Sequence, residues 1–347
     1  MSITVRPADL EAEADQIVKL LAAYVNPCYD RARFEWLYRR NPDGVAQAWL
    51  AVNTVTGALV GTAAAVPRWV HVHERLILAR VLSDFCVADA YRALGPALQL
   101  QRACLGGQPG ENVTFCYDFP GSGMLAVYKR LRIEPFGQMR RLVYPLRIDA
   151  QAEALPLPSV VRQGIRVGGN ALLGLRARRR RGNRHFTFSL LPGRCGAEFS
   201  ALGARHGAEH GVSVRRSADY LNWRFLDNPF RRHEILTARG RSGELLAYAV
   251  LAPDANYPAI VDLFGPLEPG PVTAVASAAL TLARSRRAMA LTLTILESHP
   301  WVPALLAEGY RLREAHPVIL HAPRIDAAEL VPLAPSRCLL TQGDRDS

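Results

Sequence analysis

Two nine-residue stretches constrain this chain more than any other feature. Phe34-Glu35-Trp36-Leu37-Tyr38-Arg39-Arg40-Asn41-Pro42 and Leu221-Asn222-Trp223-Arg224-Phe225-Leu226-Asp227-Asn228-Pro229 carry tryptophan, Tyr/Phe, asparagine and proline at the same places and constant spacing. The elements around them repeat as well. A first strand (Ile3 to Arg6), an amphipathic helix (Ala8 to Tyr24) and a short aromatic helix (Arg31 to Arg40) lead to a hairpin (Ala48 to Asn53, Leu59 to Pro67) and further strand from Val70 to Val87. A helix to about Leu105, a strand (Asn112 to Phe119), a helix through Tyr128 and an extended segment (Met139 to Leu146) follow. From residue 186 the order restarts: HFTFSLL, a helix near Ala197 to His210, the second aromatic stretch, a hairpin (Glu234 to Ala238, Leu245 to Leu251) and a strand (Ala259 to Phe264). It closes with a helix (Val272 to Arg284), a strand (Ala290 to Leu296), a helix (Val302 to Glu308) and Val318 to His321. Repetition on this scale predicts an internal duplication, and 347 residues suffice for two domains. The order predicts a mixed α/β fold with a largely antiparallel central sheet flanked by helices. The units are residues 1–148, a basic linker 149–185, a second domain 186–325 and a peripheral tail 326–347, whose last residues, TQGDRDS, read as mobile.

The stretch that carries chemistry is Leu82 to Leu100, LSDFCVADAYRALGPALQL. An apolar strand runs through a glycine-containing turn, Arg92-Ala93-Leu94-Gly95-Pro96-Ala97, onto a helix N-terminus. Unpaired amides of a helix's first turn and the helix dipole favour a phosphate there, and Arg92 adds a fixed positive charge. The second half has no equivalent. After Val261-Asp262-Leu263-Phe264 it reads Gly265-Pro266-Leu267-Glu268-Pro269-Gly270-Pro271, with prolines in place of amide donors, a glutamate and no arginine. That copy is expected to keep the fold without the site.

Composition narrows the partners. A net charge of +11 points to an anionic one: a nucleotide cofactor, an acidic carrier protein, nucleic acid or a membrane surface. The cluster Arg176, Arg178 to Arg181 and Arg184 either contacts such a surface or is a solvated connector. The six cysteines are scattered without a C-x-x-C pair, so buried reduced thiols are expected. His71 and His73 would share one strand face, but no third ligand is near, and no metal is expected. The apolar runs are too short to span a bilayer and the N-terminus lacks a signal-peptide pattern, so a cytoplasmic protein is the expectation.

The first half resembles GNAT-superfamily acyltransferases, and the whole chain resembles tandem GNAT proteins. The resemblance rests on Val87 before the turn, on Tyr91 to Ala97 fitting a Q/R-x-x-G-x-G/A loop, and on Tyr128-Lys129-Arg130-Leu131-Arg132-Ile133 at the place of a Y-x-x-L-G-F segment. Leu306-Ala307-Glu308-Gly309-Tyr310 keeps a similar ending in the second half. Pro96, Arg132 and Ile133 depart from the family pattern. The resemblance implies acetyl-CoA or another acyl-CoA as co-substrate, its pyrophosphate on Leu94, Gly95, Pro96 and Ala97 beside Arg92, its pantetheine along Cys86 and Val87, and an oxyanion held by backbone amides near them. It implies that an amine on a small molecule or amino sugar attacks directly, with an acyl carrier protein as the other donor. Tyr128 would hydrogen-bond or protonate the departing thiolate.

The residues leave the base open. Asp84 on the strand is the first candidate and Asp118 the reserve, but an aspartate near pKa 3.9 needs burial or a water relay to act as one. A structural hydrogen bond for Asp84 and a packed thiol for Cys86, rather than a covalent acyl-cysteine, are the plain alternatives. So are aromatic core anchors at Trp36, Tyr38, Trp223 and Phe225, rather than an acceptor pocket. Two other functions fit the pattern: a FemAB-like aminoacyl transferase, whose tRNA-borne donor suits the basic cluster but not the loop, and a CoA-binding regulatory protein without catalysis. No stable nucleic-acid partner is expected.

Overall fold

The computed structural model describes residues 3–92, 94–107, 115–149, 153, 156–178, 185–322 and 338–345. Ala93, the start of the expected strand at 112–114 and most of the arginine cluster lie outside the described residues.

The first half opens with β1 (Ile3–Pro7) and α1 (Ala14–Tyr24), whose Ala14, Ile17, Leu20 and Leu21 form the buried stripe that the helical period requires. Asp30 caps α2 (Arg31–Phe34) by accepting the Arg33 amide at 2.9 Å. The helix then widens into a π turn, Glu35–Arg39. β2 (Gln47–Asn53), β3 (Leu59–Val72) and β4 (Arg75–Val87) form an antiparallel meander. The expected run from Val70 to Val87 is thus two strands, turned at His73-Glu74 with His73 at φ 52°. No Gly or Pro marks that turn, and His73 has left the strand face it was expected to share with His71. After α3 (Leu94–Gly106) come β5 (Cys116–Asp118), α4 (Ser122–Arg130), β6 (Gly137–Pro145) and the linker helix α5 (Ser159–Arg178).

The second half contains β7 (Thr187–Leu190), α6 (Ala197–His206), β8 (Val212–Val214) and α7 (Ala218–Leu221), again continuing into a π turn, Asn222–Leu226. Then follow β9 (Glu234–Arg239), β10 (Leu245–Ala252), β11 (Ala259–Phe264), α8 (Pro269–Ser285), β12 (Ala290–Leu296), α9 (Trp301–Ala307), β13 (Arg311–His321) and β14 (Cys338–Leu339).

Among the described residues all strands join one sheet of 14, ordered β1-β2-β3-β4-β5-β13-β6-β12-β11-β10-β9-β7, with β8 bridging β3 to β14. The order has a mirror sense. From either edge, three antiparallel pairings lead to one parallel pairing, β4 with β5 and β11 with β12. Beyond it, each half receives the other's last strand: β13 lies on β5, β6 lies on β12, and the two pair with each other at the centre. The π turns meet with the same reciprocity. Trp36 and Trp223 stack at 5.1 Å, and each indole N–H donates to the other's backbone carbonyl at 2.9 Å. These two rings, with Tyr38 and Phe225, are buried core.

The tail differs from expectation. Cys338, Leu339 and Leu340 are buried, β14 pairs with β8, and Asp344 is fully buried. Thr341 and Asp344 form a capping box around the turn Gln342–Asp344. The side chain of Arg216 lies within 2.8 Å of both Asp344 and Asp262. Reading TQGDRDS by polarity alone overlooks this: the buried Asp344 has a buried cation waiting for it.

Candidate active site

Among the described residues β4 and β5 pair at Arg80↔Cys116 and Val81↔Tyr117. β4 then runs on to Val87 against β3, while β5 stops at Asp118, so the strands part into a wedge. On β4 at that point the ladder slips: Ala64 faces Ser83 but Thr62 faces Cys86, which inserts one extra residue. Such a bulge leaves a residue outside the ladder and re-aims its neighbours. Asp84 sits in it at φ 50°, a left-handed conformation that Asp tolerates better than most residues. Its carboxylate is 5% exposed and accepts hydrogen bonds from the hydroxyls of Tyr29 (2.6 Å) and Tyr38 (2.9 Å) on the same oxygen, Oδ2. Burial, then the Asp84 charge, pushes both phenols well above their ordinary pKa, so both stay protonated donors.

On the other side of the wedge Tyr128 projects from α4. Its hydroxyl donates to Asp118 Oδ2 at 2.6 Å and accepts from Gln101 Nε2 of α3 at 2.8 Å. Burial, reinforced by Asp118, drives the phenol's pKa far upward. The proton of Tyr128 is therefore directed at Asp118, and its phenolate is strongly disfavoured. Cys86 is buried, and burial raises its thiol to about 12, which removes the thiolate that a covalent acyl-cysteine needs.

The loop that follows is open to solvent. Arg92 ion-pairs with Asp89 at 2.9 Å, both side chains largely exposed, and its Nε reaches the Val87 carbonyl at 3.4 Å. An exposed pair of this kind is worth at most about 1 kcal/mol, so a phosphate can compete for the guanidinium. α3 begins at Leu94 with no acid in its first turn. Gly95 is exposed, and a Cβ there would touch nothing within 4 Å. Ala97 packs on the small core beneath. Pro96 lies in the first turn, where its lost N–H removes one of the amides otherwise free for an anion. The residues fit a phosphate group, with one donor fewer than a proline-free turn.

The corresponding wedge of the second half is closed. β11 and β12 pair in parallel at Ala259↔Thr292 and Ile260↔Leu293. Past them, His210 hydrogen-bonds His299 (3.2 Å) and the Gly265 carbonyl (3.0 Å), tying the chain after β11 to the chain after β12. Trp301, fully buried against both imidazoles, donates to the Leu267 carbonyl at 3.0 Å. Burial lowers the pKa of His210 to about 4 and that of His299 well below normal, so both are neutral. Two internal carboxylates occupy the amides of the loop: Glu209 accepts Leu267 N (3.0 Å) and Glu268 accepts Gly270 N (2.9 Å) at the N-terminus of α8.

Of the residues singled out in the sequence, the structure brings Asp84, Cys86 and Val87 together on one side of the wedge and Tyr128 with Asp118 on the other. Arg92 and Leu94 to Ala97 sit at its mouth. Tyr29 and Gln101 were missed, and Tyr38, read as a core anchor or pocket aromatic, also serves as a donor to Asp84. Only the repeat carried a signal for Tyr29, which stands at the place of Arg216 in the second copy and meets the carboxylate that corresponds to Asp262. Among the described residues no group of three His, Cys, Asp or Glu side chains is placed to hold a metal ion.

No protein-family model and no curated protein matches the chain. Solved structures do. A protein of Enterococcus faecalis V583 described as a probable N-acyltransferase superposes over 93% of this chain and 73% of its own, with a TM-score of 0.66 at 13% identity. A GCN5-related N-acetyltransferase from Anabaena variabilis ATCC 29413 covers 92% and 73%, at 0.64 and 12%. The chain has the GNAT fold. Saccharomyces cerevisiae N-myristoyltransferase, solved with myristoyl-CoA, is similar over 94% of this chain and 84% of its own, at 0.53 and 11%. At these identities the likeness is one of fold. No helix among the described residues is long and apolar enough to cross a membrane.

Proposed function

We propose that the chain is an acyl-CoA-dependent N-acyltransferase made of two GNAT folds in tandem, with one working site in the wedge of the first. The observation that carries this reading is the contrast between the wedges. The first is flanked by a bulged strand, a buried carboxylate and a buried tyrosine, and opens at an unblocked helix N-terminus. The second is plugged by Trp301, His210 and His299, and its helix is capped by its own glutamate.

In this reading the acyl-CoA pyrophosphate rests on the first turn of α3 with Arg92 released from Asp89, and the thioester lies along β4 at the bulge. Backbone amides near Cys86 take the oxyanion that forms as an amine attacks the carbonyl. Asp84 accepts the amine's proton, directly or through water; Tyr29 and Tyr38 hold its carboxylate in place. Carbon–sulfur cleavage leaves a thiolate, toward which the Tyr128 hydroxyl turns from Asp118 to donate its one hydrogen bond. Full proton transfer from Tyr128 is disfavoured, because burial and Asp118 make its phenolate costly, so the thiolate takes its proton from solvent as it departs. The acceptor is a primary amine on a small molecule or amino sugar. The acyl group of this reading is acetyl. Six free cysteines suit a reducing cytoplasm.

Thermal unfolding with acetyl-CoA and longer acyl-CoAs tests the assignment. A ligand held only by the native state at about 100 times its Kd adds roughly 2.7 kcal/mol, a readily measured rise in Tm. No rise with any CoA thioester overturns it.

A further inference from the structure

The linker helix α5 is turned inside out relative to the other helices. In its first three turns the partly covered positions are Arg162, Arg166, Gly169 and Asn170, while Val160, Val161, Ile165 and Val167 are 81%, 46%, 36% and 59% exposed. At about 100° per residue these four, with Gly164 and Gly168, fill one continuous arc. The covered side is held by polar contacts to the chain just before the helix. Asn170 Oδ1 accepts the Ile148 amide (2.9 Å), Asn170 Nδ2 donates to Asp149 (2.8 Å), and Arg162 donates to the Glu153 carbonyl (3.2 Å). Orientation is thus fixed by the polar face, and the aliphatic face points away from the protein, where such side chains normally cost solubility.

Charge identifies what meets that face. From residue 154 to 197 the sequence holds nine arginines and no Asp, Glu or Lys. A second copy of the helix would set two such fields against each other. Nucleic acid would satisfy the arginines and leave the valines in water. A helix about 30 Å long, apolar outward, with Arg162 and Arg166 on its opposite side and further arginines following in the sequence, matches the interface of an anionic bilayer. There, aliphatic side chains enter the acyl boundary and arginines reach the headgroups. The helix is not long and apolar enough to cross. We propose that α5 lies flat on anionic lipid and tethers the protein to a membrane surface. This does not depend on the acyltransferase reading.

The test is co-sedimentation of the full chain with vesicles of equimolar phosphatidylglycerol and phosphatidylcholine, and with vesicles of phosphatidylcholine alone. Binding to the anionic vesicles is expected to exceed binding to the neutral ones by about tenfold or more. The double variant Val160→Ser, Val167→Ser keeps every charge and alters only exposed positions. It should unfold at the same temperature as the parent and bind the anionic vesicles about tenfold more weakly, since roughly 1.4 kcal/mol of lost burial is a factor of ten. Three results would each overturn the proposal: no anionic binding, equal binding to neutral vesicles, or undiminished binding of the folded double variant. The last would mark the arginines as a general polyanion contact, as would equal affinity of parent and variant for a DNA duplex together with unchanged vesicle binding.

Discussion

Asp84 and Asp262 occupy corresponding places in the two repeats and face different partners. Asp84 receives two phenol hydroxyls, Tyr29 and Tyr38. Asp262 receives Tyr248 (3.0 Å), Thr341 (2.9 Å) and the Arg216 guanidinium (2.8 Å), all buried. A hydroxyl orients a carboxylate without neutralising it; a buried guanidinium makes it half of an ion pair. Loss of the two acids should therefore show in different measurements. Asp84→Asn keeps the shape and removes the proton acceptor, so amine-dependent release of CoA should fall on the order of 10²-fold or more with Tm little changed. Asp262→Asn leaves Arg216 paired with Asp344 but weakens the buried hydrogen bonds that Asp262 accepts, and should cost about 1–3 kcal/mol in urea unfolding. Undiminished turnover in Asp84→Asn would leave it a structural residue. Tyr128→Phe, by contrast, should slow release modestly, in keeping with hydrogen-bond donation rather than proton transfer. In the sequence, its place on the strand picked out Asp84, whereas Cys86 and Tyr128 were named through the resemblance to GNAT acyltransferases. The pattern could not tell that Asp84 meets phenols and Asp262 a guanidinium, since that depends on Tyr29 and Arg216, many residues away in the chain.

Among the elements, strong periodicity was readable and local irregularity was not. α4, α8 and strands β9 to β12 fall where hydrophobic spacing puts them, while α1 starts at Ala14, six residues later than expected. The π turns escaped because one extra residue per turn hardly alters an apolar pattern, although Arg40 N bonds Glu35 O and Asp227 N bonds Asn222 O five residues back. β8 is three residues long, too short for alternation to register, and its role comes from pairing with β3 and β14. The β4 bulge likewise has no signature beyond its Asp. The plug in the second wedge yields a prediction about pH. His210 titrates near 6.5 when unfolded and at about 4 when folded. Between those values the unfolded chain binds the extra proton, so stability rises with pH there and is lost as pH falls. From pH 7 to pH 5 this one group should remove about 2 kcal/mol of unfolding free energy, with His299 adding in the same direction. His210→Gln should flatten the dependence of the urea midpoint over that window. An equally steep profile in the variant would show that other groups set it.

At the scale of the molecule, the exchanged strands decide how the chain can be cut. A boundary near residue 148 looks natural by composition, because glycines and arginines interrupt the apolar pattern there. Yet β6, just before that boundary, pairs with β12 through seven consecutive positions from Met139↔Leu296 to Pro145↔Ala290, and β13 supplies the neighbour of β5. Residues 1–148 alone would expose one side of β5 and send β6 into solvent. Residues 186–347 alone would do the same to β12 and β13, and would also lose the Trp36 face of Trp223 and the β3 partner of β8. An unpaired interior edge of that kind aggregates rather than folds. Each half expressed by itself should lack a cooperative thermal transition, whereas the two halves expressed together from separate reading frames should assemble one-to-one and regain it. A cooperative transition in residues 1–148 alone would mean that β6 can fold back beside β5, and that the exchange is a choice of the intact chain rather than a requirement. The site makes the same demand. Asp118 ends β5 directly opposite Ile319 of β13, so the carboxylate that fixes Tyr128 is itself aligned by a strand from the other half. Any acyl transfer measured should return only with the reassembled pair.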